Sequence, residues 1–309
     1  MFTTAELGAM YFFAVLGLVI AFRIIGFPDL TIEGSFTTGA AVGSLSVLGG
    51  FPPAVGLLFA LLAGALAGAC TGLIHTKLGV SKLLSGIIMM IALYSVNLRV
   101  MGSYSFMSTS GTSADWVEIL RSATRPNLPL LNAPSLFDSI GPGWPRTGTL
   151  LIVAAVAILV VWYLLSTDFG LFLRVTGENP RVLTSSGLSV NLFVVVGLTL
   201  SNALIGFGGA LVAQYQGFVD VGMSVGLIVS ALASLLIGES IIRPRTVRRL
   251  LLAALTGSLI YQLILAVGLR LGIAPSDLKL VTSLLLVAAV VFRHRSLRGG
   301  DDTIGSEAI

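Results

Sequence analysis

The sequence of 309 residues is 55% hydrophobic and only 10% charged, with a mean hydropathy of +0.99 and a net charge of +4. A soluble domain carries about a quarter charged residues because its surface faces water, so this composition excludes a soluble globular protein. We attribute the excess positive charge to loops on one side of a membrane and not to nucleic-acid binding. The sequence therefore predicts one all-α, polytopic membrane domain over residues 1–309.

Nine membrane spans are predicted in chain order, since about 20 apolar residues are needed to cross a hydrocarbon core of about 30 Å. The second and the seventh are short for a crossing helix, and the polar residues 102–147 are predicted to form an external loop. The first apolar run has no basic leader, so we expect a retained span and not a cleavable signal peptide. The predicted spans are 4–22, 35–49, 52–75, 83–101, 148–166, 190–214, 223–238, 247–270 and 276–292.

The distribution of Lys and Arg predicts the orientation of these spans. Most of the basic residues fall in connections that nine spans would place on one side of the membrane, and cytoplasmic connections hold the excess of positive charge. The N-terminus is therefore expected outside, whereas residues 168–189, residues 239–247 and the tail 293–309 are expected in the cytoplasm.

A short internal similarity predicts an inverted repeat. Phe27-Pro28-Asp29-Leu30 follows the first span and Phe218-Val219-Asp220-Val221 follows the sixth, and each precedes a short span. An offset of five spans would give the two copies opposite orientations, as in transporters whose solute path runs between inverted halves. A chance match of this length stays open. Asp220 either faces the path, contacts an external solute receptor, or lies in a solvated turn.

The first of these segments is predicted to break the helix. Pro28 lacks a backbone donor, Asp29 or Thr31 can cap the next helix, and Glu33 would lie in its first turn, where the helix dipole favours a carboxylate. One interpretation is that Asp29, Thr31 and Glu33 line the translocation path. The other is a solvated loop with ordinary capping.

A few polar residues within the predicted spans are further candidates for the path. Tyr94, Asn97 and Asn202 are the ones we expect to touch a solute. The alternative for each is a hydrogen bond between helices, which is the commoner use of such residues in membranes.

The cytoplasmic segment 168–189 contains the signals of a short helix. Asn179 suits the N-cap, Pro180 the first helical position, and Gly187 a left-handed end. A helix over 179–187 is too short to be stable alone in water, so it must be held by its own protein or by a partner. It could also be a surface helix that only links two spans.

This segment resembles the cytoplasmic coupling segment of the branched-chain amino acid, ribose and simple-sugar permease family of ATP-binding-cassette (ABC) importers. The stretch Asp29-Leu30-Thr31-Ile32-Glu33-Gly34 is similar to a shorter subfamily described as tryptophan- or tyrosine-type permeases, whereas Gly238-Glu239-Ser240 departs from the sugar permeases. The resemblance covers about residues 8–292. It implies that the segment couples transport to an ATPase through Gly177, Glu178, Asn179, Pro180, Arg181, Leu183, Ser186 and Gly187.

The resemblance further implies a multi-pass subunit of the bacterial cytoplasmic (inner) membrane that imports an amino acid or a related small solute. Its expected partners are a cytoplasmic ATP-binding subunit, a second copy of the same chain, an extracytoplasmic solute-binding protein and membrane lipid. No lysine of this sequence follows a glycine, so the phosphate loop Gly-x-x-x-x-Gly-Lys-Ser/Thr is absent. ATP would therefore be used by the partner, and we expect this chain to bind no cofactor and no metal.

Two other classes of function remain open from the sequence. A secondary transporter or channel usually has ionisable residues deep in its spans, and no acidic residue is predicted at the middle of a span. An intramembrane enzyme needs a nucleophile with a base, or metal ligands, at membrane depth. His75 and His294 are expected at span ends and the single cysteine, Cys70, is expected to be a small packed side chain, so no catalytic residue is predicted.

Overall fold

The computed structural model describes residues 2–109, 127–129, 146–273, 277–278 and 280–287. Most of the predicted external loop 102–147, the end of the predicted span 276–292 and the whole predicted tail 293–309 lie outside these ranges. Apart from one short pair of strands, the described chain is helical, which confirms the predicted all-α class.

The helices follow the predicted spans closely. The elements in chain order are α1 (Phe2–Leu18), a π-helical turn (Val19–Ile24), α2 (Thr31–Leu48), α3 (Pro53–Leu78), α4 (Lys82–Thr109), β1 (Asn127–Pro129), α5 (Arg146–Ser166), α6 (Asp168–Glu178), α7 (Pro180–Ser185), α8 (Val190–Gln216), β2 (Phe218–Asp220), α9 (Leu227–Ile241) and α10 (Val247–Arg270). Residues 280–287 are also helical.

Six helices of the described chain are long and apolar enough to cross a membrane: Thr4–Ile24, Pro53–Leu78, Lys82–Gly102, Thr147–Ser166, Val190–Gln216 and Val247–Arg270. The shorter apolar helix α9 and the 18-residue helix α2 lie where the two short spans are predicted. The six long spans are confirmed as apolar helices, while the total of nine stays a prediction.

A two-stranded antiparallel ladder joins distant parts of the chain. Backbone pairing runs from Asn127 opposite Asp220 to Pro129 opposite Phe218. This pairing fixes part of the predicted loop 102–147 beside the end of α8, a contact that the sequence pattern did not predict.

Three helices, α2, α3 and α8, pack at backbone distance. Glycines at every fourth position of α3 face α8, and a β-carbon added at Gly68 would collide with the carbonyl oxygen of Leu198. Gly39 of α2 lies just as close to the backbone of Gly206. Small residues let helices approach in this way in membranes. We call these three helices the glycine block.

A second close pair is formed by α9 and α10. Gly238 of α9 lies against the carbonyl of Ala253, and Gly257 of α10 lies against the carbonyl of Ser234. A side chain at either glycine would push the two helices apart. The pair is therefore held in one register by its backbones.

Helix α1 lies between the glycine block and the α9–α10 pair. It is the most buried of the six candidate spans, with 78% of its apolar window buried against 50% or less in the others. Large side chains make part of its contacts, and the Phe13 ring lies 4.9 Å from that of Phe207 in α8. Two glycines make the rest: an added β-carbon would collide with the Ser201 carbonyl oxygen of α8 at Gly17, and would lie 3.1 Å from Leu259 Cα of α10 at Gly8. The hydrophobic core is centred on this helix.

The end of the first helix differs from the sequence prediction, which assigned the break to Pro28. The last turn is π-helical, with Ile25 N donating to the Ile20 carbonyl at 3.0 Å, and Phe27 N then donates to the Ala21 carbonyl at 2.8 Å. Gly26 between them has φ +66°. A glycine in this left-handed conformation ends the helix, and the closing bond from Phe27 N to the Ala21 carbonyl is one residue longer than in a Schellman motif because the last turn is π-helical. We call residues 25–30 the helix break.

Candidate functional site

The carboxylate of Asp29 organises the helix break. It is fully buried, and its Oδ1 accepts a hydrogen bond from Thr31 N at 2.9 Å at the start of α2. Its Oδ2 accepts a second bond from Nδ2 of Asn202 at 2.7 Å. From the position before Leu30, the N-cap residue of α2, Asp29 therefore satisfies the backbone N–H of the first helical residue and also ties the break to α8. The alternative of a solvated loop is wrong for this residue, since burial leaves no water contact.

The position of Asp29 corrects one expectation about depth. Asn202 lies near the middle of α8, so its bond places the Asp29 carboxylate beside the middle of a candidate span. From positions along the chain alone, no acidic residue was expected at the middle of a span. The structure places one there because the break runs back alongside α8, where polar groups need partners.

Thr31 and two glycines complete the packing around Asp29. The hydroxyl of Thr31 lies 2.8 Å from that of Thr71 in α3, and both residues are fully buried. A β-carbon added at Gly86 of α4 would lie 2.8 Å from Leu30 N and 3.4 Å from Asp29 Oδ1. The break is thus enclosed by α3, α4 and α8.

Glu33 joins α2 to the start of the short helix α9. Its Oε1 accepts a hydrogen bond from the backbone N–H of Gly226 at 3.0 Å, and Gly226 is the N-cap residue of α9. A carboxylate is stabilised at this end of a helix by the helix dipole. Helix α9 has 15 residues and is about 22 Å long at 1.5 Å per residue, so this contact lies far from the end of α9 at Ile241.

The other predicted path residues lie in different surroundings. Asn97 is buried and its Nδ2 donates to the Gly34 carbonyl at 3.4 Å, whereas the Tyr94 side chain is 53% exposed on α4. Asp220 accepts a bond from Gly222 N at 3.1 Å near the β ladder. The structure therefore brings Asp29, Thr31 and Asn202 together and leaves Tyr94 and Asp220 apart.

The two halves of the predicted repeat share one local feature. Asp29 and Asp220 each accept a bond from the backbone N–H two residues later, Asp29 from Thr31 and Asp220 from Gly222. Asp29 is buried and Asp220 is not. The inverted repeat stays a prediction.

The predicted short helix is present in the segment 168–189. It is α7, which has Asn179 at its N-cap position and Pro180 as its first residue, and Gly187 follows it with φ +75°. The Asn179 side chain makes no capping hydrogen bond. The preceding residues form the helix α6, whose N-cap is Thr167, and the Thr167 hydroxyl accepts a hydrogen bond from Gly170 N at 3.5 Å.

The side chains of α7 divide between the interior and the surface. Leu183 is 1% exposed and belongs to the main hydrophobic core. It was grouped with the residues expected to meet the ATPase, but its side chain is not part of the exposed surface of α7. Its burial explains how so short a helix is held, because its own protein supplies the packing that water cannot. The exposed residues of the segment 168–189 are Asp168, Leu171, Gly177, Glu178, Asn179, Pro180, Arg181, Val182, Thr184, Ser185, Ser186, Gly187 and Ser189.

A bidentate ion pair lies at the same end of the bundle. Nε and Nη2 of Arg23 donate to the two carboxylate oxygens of Glu239 at 2.7 and 2.9 Å, and the Glu239 side chain is 4% exposed. The pair links the π-helical turn to the end of α9. Sequence reasoning noted Glu239 only as a departure from sugar permeases. The residues are 216 positions apart, and no sequence signal joins them.

A cavity of about 370 Å³ opens between α1, α9, α10 and the residues that follow α10. Aromatic, amide and hydroxyl side chains give it a mixed lining, and none of the predicted path residues lines it. Sequence reasoning missed it because each lining residue alone looks like an ordinary interhelical contact. Its polar lining includes Tyr11, Gln216, Ser230, Tyr261, Gln262 and Thr282.

Comparison with known proteins gives a consistent result. Residues 1–291 match the family model described as the permease component of branched-chain amino acid transport systems. A tyrosine transport system permease protein of Clostridioides difficile is 35% identical over 88% of this chain and 84% of its own length. A nucleoside ABC transporter permease protein of Lactococcus lactis is 28% identical, over 86% of this chain and 81% of its own length.

A more distant relative is the autoinducer 2 import system permease protein of Yersinia pseudotuberculosis, which is 26% identical over 85% of this chain and 68% of its own length. No solved structure matches. The described helices and the match over residues 1–291 agree on a multi-pass protein of the bacterial inner membrane. The chain belongs to the branched-chain amino acid transport system permease family, and is a membrane-spanning subunit of an ABC importer for a small organic solute.

Proposed function

We propose that two copies of this chain form the translocation unit of an ABC importer for tyrosine or a closely related amino acid. A separate cytoplasmic ATPase drives the unit and an external solute-binding protein delivers the solute. The observation that carries the proposal is the pair of helices α6 and α7, an exposed segment that is packed firmly on its own bundle. The choice of solute rests on the tyrosine transport permease, which is 35% identical to this chain.

The ATPase docks on the exposed residues of α7. Arg181 and Ser185 of α7 and Ser186, which directly follows it, are exposed, whereas the buried side chain of Leu183 anchors the helix to the bundle. A rigid, small-residue helix can enter a groove on a partner without the entropy loss of ordering a loop. The proposed orientation, with residues 168–189 and the loop after α9 in the cytoplasm, follows the excess of basic residues there.

The helix break forms one wall of the translocation path. Asp29, Asn202 and Glu33 hold that wall in place by the hydrogen bonds described above, and Tyr94 is available to the solute or to the second copy on the exposed side of α4. Short and interrupted helices border the path in many transporters because they leave backbone groups free to meet a solute.

Uptake by the reconstituted complex tests the proposal. Vesicles that contain the chain, its ATPase and its solute-binding protein should accumulate labelled tyrosine only when ATP is present on the side of the membrane where the ATPase lies. Unlabelled leucine or adenosine should compete poorly with the labelled tyrosine. Competition by adenosine and not by tyrosine would contradict the proposed solute. Uptake by the chain without an ATPase would contradict the ABC mechanism and favour a secondary transporter or channel.

A matched pair of substitutions tests the docking surface. Ser186→Trp should reduce co-purification of the ATPase because the large ring blocks the groove. Ser240→Trp is the control, since Ser240 is also an exposed serine at this end of the bundle but lies outside the segment. Equal retention of the ATPase by both variants would show that α7 only links two spans.

A further inference from the structure

The last turn of α6 touches the helix break at backbone distance. A β-carbon added at Gly177 would collide with the Ile24 carbonyl oxygen and would lie 2.9 Å from the carbonyl carbon of Ile25. A β-carbon added at Gly26 would lie 3.7 Å from the Gly177 carbonyl oxygen. The two backbones therefore meet with no side chain between them, although Gly177 is exposed on its other side.

The side chain of Ile25 fills the space between α6 and α8. It is 1% exposed, and a β-carbon added at Gly197 of α8 would overlap its Cδ1. Leu173 of α6 meets the same point, with its Cδ2 3.2 Å from that β-carbon. Ile25 is thus enclosed by Gly177, Gly197 and Leu173, and close-packed atoms in such a position move together.

Three of the residues that follow Ile25 in the helix break are held by contacts with other helices. The Gly26 carbonyl accepts a bond from Lys82 Nζ at 3.2 Å, and the Phe27 ring lies 5.3 Å from the ring of His75. Asp29 then bonds Asn202 at 2.7 Å. A displacement of Ile25 cannot be absorbed in a loose loop, because Gly26, Phe27 and Asp29 each have a partner of their own.

We infer that Ile25 is a positioning residue through which a displacement of the α6–α7 segment reaches the helix break. The inference rests on the proposed function, in which an ATPase moves this segment. Arg23, two residues earlier, extends the same connection to α9 through its ion pair with Glu239. One movement of α6 is then passed both to the start of α2 and to the end of α9, and coupling of this kind requires such a chain of packed contacts.

The first test removes one methyl group from the contact. Ile25→Val deletes Cδ1 and leaves the rest of the chain unchanged, so the complex should assemble and hydrolyse ATP. The number of ATP molecules hydrolysed per solute imported should rise several-fold, because the segment can move without moving the break. The control is Ile205→Val: Ile205 is fully buried, and its Cδ1 packs on Gly17 of α1 as that of Ile25 packs on Gly197.

A second pair of variants adds an atom instead of removing one. Gly177→Ala introduces the collision with the Ile24 carbonyl and should also raise the ATP consumed per solute. Gly68→Ala introduces an equal collision with the Leu198 carbonyl inside the glycine block. This control should lower the thermal stability and both activities in proportion, so that the ratio of ATP to solute stays near that of the unmodified complex.

The outcomes separate the inference from the proposed function. If the unmodified complex shows no ATP-dependent uptake, the proposed function fails. If it is coupled and Ile25→Val has the same ratio as Ile205→Val, Ile25 is an ordinary packing residue and the inference is wrong. If Gly177→Ala does not assemble, the inference is decided by comparing the ratio of ATP to solute in Ile25→Val with that in Ile205→Val. Both of these variants should fold, since loss of one buried methyl group is well tolerated by folded proteins.

Discussion

Replacement of Asp29 is the most direct test of the helix break. Asp29→Ala removes the acceptor of Thr31 N at the start of α2 and the acceptor of the Asn202 amide. Loss of the acceptor of a backbone N–H in the first turn of a helix costs about as much as loss of a cap, about 0.5–2 kcal/mol, and a hydrogen bond to a charged group contributes about 1.5–3 kcal/mol. Relief from burying a carboxylate offsets part of this sum. We therefore expect the free energy of unfolding to fall by about 3 kcal/mol, from the sum of these terms.

The isosteric change Asp29→Asn should cost less. The new side chain can keep the bond from Thr31 N, but its amide group then faces the Asn202 amide, which also donates to the Leu198 carbonyl at 3.0 Å. Rotation of Asn202 would offer Oδ1, which has no partner among the described residues, at the cost of the bond to Leu198. A net loss of about 1–2 kcal/mol follows from exchanging charged for neutral hydrogen bonds.

Thermal unfolding of the purified protein in lipid nanodiscs measures both effects. The midpoint should decrease in the order unmodified, Asp29→Asn, Asp29→Ala. Asp220→Ala is the matched control, since Asp220 makes the same bond to the backbone two residues later but is not buried, and its midpoint should change little. Equal midpoints for Asp29→Ala and Asp220→Ala would refute the assigned role of the buried carboxylate. A lower midpoint for Asp29→Asn than for Asp29→Ala would refute the hydrogen-bond argument.

Three further predictions concern other contacts of the site. Arg23→Gln should lower the midpoint, because it removes the bidentate ion pair that the guanidinium makes with the buried Glu239 carboxylate; an unchanged midpoint would contradict this, and the pair Arg23→Glu with Glu239→Arg should recover part of the loss. Glu33→Gln should reduce uptake while assembly is retained, because the N-terminus of α9 loses the carboxylate charge that accepts the hydrogen bond from Gly226 N. Unchanged uptake would show that this contact has no part in the transport cycle. In a cysteine-free background, Ser185→Cys should react with a membrane-impermeant maleimide only after cells are opened, and labelling of intact cells would reverse the proposed orientation.

Local signals in the sequence were sufficient for the short helix of the coupling segment. Asn179 occupies the N-cap position without the expected side-chain bond, whereas Pro180 and Gly187 act on their own stretch of backbone, so their effect can be predicted from spacing alone. The same holds for the six long apolar helices, since crossing a membrane is a matter of length and composition. The bond from Thr31 N to the Asp29 carboxylate is also local, because its donor and its acceptor are two residues apart.

Contacts between distant residues could not be predicted in this way. The Asn202 partner of Asp29 is 173 positions away and the Glu239 partner of Arg23 is 216 positions away. The direction of the Leu183 side chain depends on how α7 lies on the bundle, which six residues of sequence do not define. The end of the first helix was assigned to Pro28 because proline is a strong breaker, whereas a left-handed glycine two residues earlier ends it first.

The distribution of backbone contacts divides the subunit into parts that can move and parts that cannot. Where glycines bring two helices to backbone distance, as at Gly68 and Leu198 or at Gly238 and Ala253, a shift of even one ångström produces a collision. Helices that meet through layers of flexible side chains can instead slide past one another by small steps. On this basis the glycine block and the α9–α10 pair behave as two rigid bodies. Helix α1 is joined to the block at Gly17, where an added β-carbon would collide with the Ser201 carbonyl oxygen, and to the pair at Gly8, where one would lie 3.1 Å from Leu259 Cα. Movement of the two bodies relative to each other during a transport cycle must therefore separate α1 from one of them at its glycine contact.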